Sequence, residues 1–197
     1  MIKKLVVASG NAGKLREIAE ILAPLEIELV VQAAFNVREA DEPHETFIEN
    51  ALAKARHAAL ITGLPALADD SGVCVEALGG APGVLSARFA GEPRSDERNN
   101  QRLLAMLENE DDRRAYYYCV VVLMRHARDP RPLIGEGEWH GEILRAPRGA
   151  GGFGYDPLFL DPASGLSAAE LSPERKNRVS HRGKALAALA AALRARG

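Results

Sequence analysis

The sequence predicts an α/β fold in a single domain, and three observations predict it. Apolar runs of strand character alternate with helix-period stretches: Ile2 to Ala8 precede a helical pattern from Lys14, and Ile27 to Val31 precede one from Thr46 to about Thr62. Helix starts are signalled locally, by Thr46-Phe47-Ile48-Glu49 and Ser167-Ala168-Ala169-Glu170 as capping boxes and by Ser172-Pro173 as an N-cap before an N1 proline. The run Ala66-Leu67-Ala68, fenced by Pro65 and Gly72, suits a short interior strand that ends in Asp69, Asp70 and Ser71. At 197 residues the chain is long enough to bury a substantial core, and one domain over 1–197 suffices.

Taken in order, Ser9-Gly10-Asn11-Ala12-Gly13-Lys14 turns the first strand into a helix whose Ile18, Ile21 and Leu22 recur at helical spacing. A small polar turn with glycines and a lysine, set between strand and helix, aims backbone N–H groups and a cation at a phosphate. It is not a Walker A loop, which requires Gly where Ala8 stands and Ser or Thr where Leu15 stands. An ordinary strand-to-helix turn with a surface lysine competes with the phosphate reading. Arg38 to Glu45 follow as an acidic, proline-containing loop. In the Thr46 helix, Phe47, Ala51, Ala55 and Ala58 make an apolar stripe, and Asn50, Lys54 and His57 lie on a neighbouring one, so Lys54 faces either a cleft or solvent.

Successive side chains of a strand point to opposite faces, so Asp69 and Asp70 do not easily serve one site. Asp70, beside Ser71 and the turn expected at Gly72, is the candidate acid; a solvated strand end is the alternative. Val73-Cys74-Val75 is expected as the return arm of a hairpin. Ser95 caps a helix that turns Leu103, Leu104 and Leu107 inward, Arg114 to Met124 is a long strand, and Gly135 to Leu144 is a strand or hairpin.

Gly149 to Gly154 match GxGxxG in form, but Tyr155-Asp156-Pro157 stands where a dinucleotide fingerprint requires the body of a helix. What remains is a glycine-rich loop presenting Phe153, Tyr155 and Asp156, suited to a flat ring or to a plain hairpin, before a strand at Leu158-Phe159-Leu160. Lys176, His181 and Arg182 gather cationic and donor groups within seven residues, pointing to an anion or carbonyl oxygen or else to a solvated basic helix end. Ser180 to Gly183 are expected to interrupt the chain before a terminal helix of Ala185, Leu186, Leu189 and Leu193.

Composition narrows the function class. With 47% hydrophobic and 26% charged residues, the chain has the balance of a soluble globular protein. A formal net charge of -2 gives no global pull toward nucleic acid or an anionic membrane, so an anionic ligand must be held by local cations. Cys74 and Cys119 have neither metal-ligand nor disulfide spacing and suit buried thiols in a reducing cytosol. No apolar run reaches the length of a membrane span, so a cytoplasmic protein is expected.

Taken together and in this order, Ser9 to Lys14, Thr46 to Ala51, Ala68-Asp69-Asp70-Ser71-Gly72, Gly79-Gly80-Ala81-Pro82-Gly83, Gly152 to Pro157 and Ser180-His181-Arg182 resemble the inosine triphosphate pyrophosphatase family, the non-canonical purine nucleotide pyrophosphatases. The resemblance covers nearly the whole chain. It implies a central mixed, elongated β-sheet flanked by helices, two lobes with a cleft between them, and a homodimer. It also implies Mg²⁺-dependent hydrolysis of ITP, dITP and XTP to the monophosphate and pyrophosphate. Residue by residue, it implies substrate contacts from Ser9, Gly10, Asn11, Ala12, Gly13, Lys14, Ser71, Phe153, Gly154, Tyr155, Asp156, Lys176, His181 and Arg182. Asp70 matches the catalytic and metal-associated acid, and Lys54 a lysine near the phosphates. The chain departs from the family in its acidic loop, reading Glu42-Pro43-His44 where many bacterial members have Glu-Thr-Gly, so the second metal-associated carboxylate is either Asp41 or Glu42.

The residue chemistry fits that assignment. A triphosphate carries about four negative charges, which Lys14, Lys54 and backbone N–H groups offset while Mg²⁺ bridges phosphate to carboxylate. Arg182 and His181 are hydrogen-bond donors, matched to the 6-oxo group of hypoxanthine and xanthine and mismatched to the 6-amino group of adenine. The alternatives are a nucleotide-binding regulator without chemistry and a house-cleaning pyrophosphatase for other modified nucleotides.

Overall fold

The structure is a computed structural model that describes residues 2–196. Its strands are β1 (Lys4–Val7), β2 (Glu28–Val31), β3 (Ala66–Val75), β4 (Arg114–Met124), β5 (Leu133–Ile143), β6 (Phe159–Asp161) and β7 (Leu166–Ser167). Its α-helices are α1 (Ala12–Leu22), α2 (Phe47–Thr62), α3 (Asp96–Met106), α4 (Pro173–Val179) and α5 (His181–Ala195). The strands form one seven-stranded sheet in the order β2-β1-β3-β4-β5-β6-β7. β1 pairs in parallel with β2 and β3, whereas β6 runs antiparallel to both β5 and β7, so the sheet is mixed.

The contacts divide the chain into two units. The first runs to Asp70 and includes Cys119–Gly137 and everything from His181 onward; the second comprises Ser71–Tyr118 and Glu138–Ser180. In the first unit, Leu5, Val7, Leu67, Cys119, Val121 and Leu123 of the sheet pack with Ile18 and Leu22 of α1 and Ala185, Leu186 and Leu189 of α5. Strand alternation therefore turns Leu67 and Asp69 toward α1 and α5, and turns Ala66, Ala68 and Asp70 the other way, toward α2. The expected stripe of α2 is present, with Ala51, Ala55 and Ala58 fully buried.

Gly135 and Gly137 lie on the buried face of β5 directly under α5. A Cβ on Gly135 would stand 2.2 Å from the Ala185 carbonyl oxygen, and one on Gly137 2.2 Å from that of His181. These two positions admit no side chain because the helix backbone rests on the strand. The second unit has its own core, in which Val73, Val75, Leu103 and Leu158 surround the aromatic group Tyr117, Trp139 and Phe159.

Three local expectations need correction. β3 runs unbroken through Ser71 and Gly72, so Val73-Cys74-Val75 is its continuation and no hairpin arm. Both faces of this strand are buried, and the apolar surface it covers outweighs the turn chemistry of Ser-Gly. Of the two alternatives for Gly135 to Leu144, the structure has the strand: β5 is continuous, with strict in-out alternation. Ala12, Gly13 and Lys14 belong to the first turn of α1, capped by Asn11, whose side chain accepts from the N–H groups of Gly13 and Lys14. Ser180 alone separates α4 from α5, so His181 and Arg182 form the first turn of the terminal helix, not an interruption before it. The Thr46 and Ser95 caps, the span of β4 and the burial of both cysteines are as expected. No described helix is long and apolar enough to cross a membrane.

Candidate active site

In the first unit the site is built on the carboxyl end of the β3 segment that follows Pro65. Alternation sends its two acids to opposite sides. Asp70 Oδ1 accepts from Lys54 Nζ at 2.8 Å, and the same ammonium donates to Glu42 Oε1 at 2.6 Å. Lys54 and Asn50 come one turn apart from α2, on the stripe beside the apolar one, because residues four apart share a helix face. Asn50 is 1% exposed and fastens the acidic loop: its amide accepts from His44 N–H and donates to His44 C=O, both at 3.1 Å, and reaches Asp70 Oδ2 at 3.5 Å. That clip brings Glu42 to Lys54, while its neighbour Asp41 is exposed.

On the opposite side, Asp69 Oδ2 lies 3.1 Å from Lys14 Nζ and accepts from Arg182 Nε and Nη2 at 3.2 Å each. Arg182, 2% exposed, also donates through Nη1 to Glu17 of α1. His181 is buried beside it at the start of α5. Ser9 Oγ accepts from Asn11 N–H at 3.2 Å, which closes the Ser9-Gly10-Asn11 turn into α1.

The two aspartates are chemically distinct for this reason. Burial works against ionisation of Asp69, but Lys14, Arg182 and Lys54 overcome it and hold its carboxyl far below the usual carboxylate range. Burial pushes the Asp70 carboxyl up; Lys54 and Lys14 pull against it, and the nearby Glu42 charge adds to the rise. Burial alone would lower the Lys54 pKa, yet Asp70, Asp69 and Glu42 together raise it, so this ammonium stays charged. Asp69 is thus a permanent anion and Asp70 a carboxylate with raised proton affinity.

The second unit carries Phe153, Gly154, Tyr155, Asp156, Lys176 and Ser71. Asp156 Oδ2 accepts from Lys176 Nζ at 2.5 Å and from Phe153 N–H at 2.9 Å. Lys176 Nζ stands 4.8 Å from the centroid of the Phe153 ring, within cation–π range. Tyr155 is buried, and its hydroxyl donates to Ser86 C=O at 2.8 Å. Asn100 Nδ2 and Asp96 Oδ2 grip the two backbone ends of Gly154, fixing the loop. Ser71 follows Asp70 in β3 and is half-buried.

Sequence reasoning did not single out Asp69, Glu17 and Asn50, which the structure joins to the candidate residues Lys14, Arg182 and Asp70. The signals for two of them were present: Glu17 follows Lys14 by three residues on one helix face, and Asn50 shares the Lys54 stripe. Nothing local marks Asp69 as the acceptor of Arg182, which is 113 positions away.

Fold and site define a class: α/β proteins with a mixed sheet in which one strand sets adjacent acids against lysines from the flanking helices. The chain belongs to the Ham1 family, whose model matches residues 5–192. It is 66% identical over 188 residues to the dITP/XTP pyrophosphatase of Nitrosomonas europaea, covering 95% of this chain and 93% of that one. It is 64% identical to the dITP/XTP pyrophosphatase of Aromatoleum aromaticum, covering 98% of each. Among solved structures, a HAM1 protein from Coxiella burnetii superposes with a TM-score of 0.92 at 50% identity, covering 99% of this chain and 100% of that one.

Proposed function

We propose that this protein hydrolyses non-canonical purine nucleoside triphosphates, dITP, ITP and XTP, to the monophosphate and pyrophosphate, clearing them from the nucleotide pool. The observation that carries the chemistry is the convergence of Asp70 and Glu42 on the single ammonium of Lys54. High identity to relatives named dITP/XTP pyrophosphatase supports the substrate class.

In this reading the capped N-terminus of α1 and Lys14 take the phosphate tail. Lys54 donates to the phosphate where charge develops, and Asp70 takes the proton of the attacking water as its oxygen bonds to the α-phosphorus. The bond from that phosphorus to the bridging oxygen breaks, and pyrophosphate leaves with the electron pair. Asp70 suits the base role and Asp69 does not, because their surroundings move their proton affinities apart.

The family implies Mg²⁺, and Asp70 and Glu42, which both bond to Lys54 Nζ, are the residues that would hold it, since Mg²⁺ is commonly held by one or two carboxylates with the rest of its shell from phosphates and water. In this reading the second carboxylate is Glu42, because it reaches Lys54 while Asp41 is exposed. When bound, the metal would supply charge neutralisation on the phosphates and a more acidic water. In the second unit Phe153 offers a stacking face suited to a purine, with Lys176 oriented by Asp156; in the first, His181 and Arg182 are donors of the kind a 6-oxo group accepts from. A homodimer belongs to the same reading, supported by the exposed neighbours Leu60 and Ile61 on α2 and tested by light scattering.

The test is pyrophosphate release from ITP, dITP, XTP, GTP and ATP at equal concentration with Mg²⁺. Turnover of ITP and XTP far above that of ATP is expected, and Asp70→Asn is expected to lose roughly 10²–10⁴-fold with an unchanged circular dichroism spectrum. Equal turnover of ATP and ITP, or a near-normal Asp70→Asn enzyme, would refute the reading.

A further inference from the structure

We propose that Glu17 is a positioning residue for this reaction: with Asp69 it clamps the Arg182 guanidinium between two carboxylates and so keeps Lys14 on its own share of Asp69. The inference rests on the reading above, in which Arg182 faces the purine oxygen and Lys14 the phosphates.

One carboxylate oxygen, Asp69 Oδ2, serves Lys14 Nζ at 3.1 Å and both Nε and Nη2 of Arg182 at 3.2 Å. Two cations on one anion compete, and the bidentate guanidinium has the geometric advantage over a single ammonium. Glu17 removes the competition. Its carboxylate accepts from Arg182 Nη1, brings a second negative charge, and makes the group of Lys14, Glu17, Asp69 and Arg182 neutral as a set.

Placement supports a role beyond filling space. Glu17 lies three residues after Lys14 on α1, so one helix turn delivers the cation and the anion to the same side. Its contact to Nη1, added to the Nε and Nη2 contacts of Asp69, fixes the rotation of the guanidinium plane about its long axis, which Asp69 alone grips along one edge. The Arg182 and Asp69 side chains are 2% and 1% exposed and that of Glu17 is 13% exposed, so little solvent screens the loss of the Glu17 charge. Arg182 then draws Asp69 to itself, and Lys14 and the guanidinium both leave their positions.

The test is steady-state kinetics of Glu17→Gln, which keeps the shape and removes the charge. KM for XTP and dITP is expected to rise roughly 10-fold or more with a smaller change in kcat, and the preference for dITP over dATP is expected to shrink by a similar factor. In an Arg182→Lys background the same Glu17→Gln change is expected to alter KM less than about twofold, since both act through one contact. A residue that only supports the fold would lower both substrates equally and add its full factor in either background. If Glu17→Gln does not fold, Glu17→Asp, which keeps the charge and shortens the reach, is judged by the same ratio and the same cycle. A folded variant with normal KM and preference, or full additivity, overturns the proposal while wild-type hydrolysis of XTP stands. A wild-type protein that releases no pyrophosphate from XTP overturns the functional reading and this inference with it.

Discussion

An alanine at position 137 puts one methyl group where the α5 backbone already lies. The added Cβ would sit 2.2 Å from the His181 carbonyl oxygen, 2.7 Å from Ala185 N and 2.8 Å from Lys184 Cβ. Ordinary contact begins at 3.4 Å, and two of the three atoms are backbone, so the helix must retreat or the strand must bend. Overpacking of this kind costs about 1–3 kcal/mol. For a chain of this size that corresponds to a drop of about 2–4 °C in Tm per kcal/mol. The larger effect is expected in catalysis, because the first turn of α5 carries His181 and Arg182, which the proposed function sets at the base, and a displacement near 1 Å at a substrate-orienting group costs roughly 100-fold. Thermal unfolding followed by circular dichroism and kcat/KM for XTP measure the two effects on one preparation. A Gly137→Ala protein with wild-type Tm and wild-type kcat/KM would show that α5 is not seated on β5 as described.

Asn50→Ala removes the clip on His44 and is expected to raise the half-saturating Mg²⁺ concentration by about 10- to 100-fold, measured as activity against added metal, because Glu42 loses its support. Thr46→Ala removes the cap whose hydroxyl accepts from Glu49 N–H, and is expected to destabilise the protein by about 1 kcal/mol in denaturant titration. Burial, with a smaller push from Asp69, raises the Cys119 thiol from an ordinary value of 9.0 to about 12, so it is expected to resist a thiol reagent at pH 8 until denaturant is added. Between those two values the unfolded chain has lost this proton and the native chain keeps it. Stability therefore falls as pH rises, by about 1.4 kcal/mol per pH unit, and the Cys119→Ala protein is expected to lack that part of the slope.

Much of the fold was legible because its signals are local. The Thr46 box, the Ser95 cap and the apolar length of Arg114 to Met124 each depend on residues within a few positions, and each gave its element. Ser71-Gly72 misled for the same reason: turn chemistry is local, while the burial that keeps β3 straight comes from segments far along the chain. Which of Asp41 and Glu42 reaches Lys54 could not be read from the sequence, because an irregular loop has no period; it is Glu42, in the loop that Asn50 fastens. Gly137 was visible as a glycine inside a strand, but its reason lies at His181 and Ala185, where no sequence window reaches. Asp69 was set aside by a correct rule about strand faces, which holds; what the rule omits is that the other face has cations of its own.

The placement of two unlike acids on adjacent residues of one extended strand makes β3 intolerant of miscounting. Losing any one residue between Ala66 and Ala68 would slide Asp70 into the slot that answers Arg182 and hand the slot opposite Lys54 to a serine; gaining one would put Asp69 opposite Lys54 and leave Arg182 facing an alanine. A change of letter there disturbs one position, whereas a change of length by one residue moves every later side chain to the other face, so length is the stricter constraint on the segment.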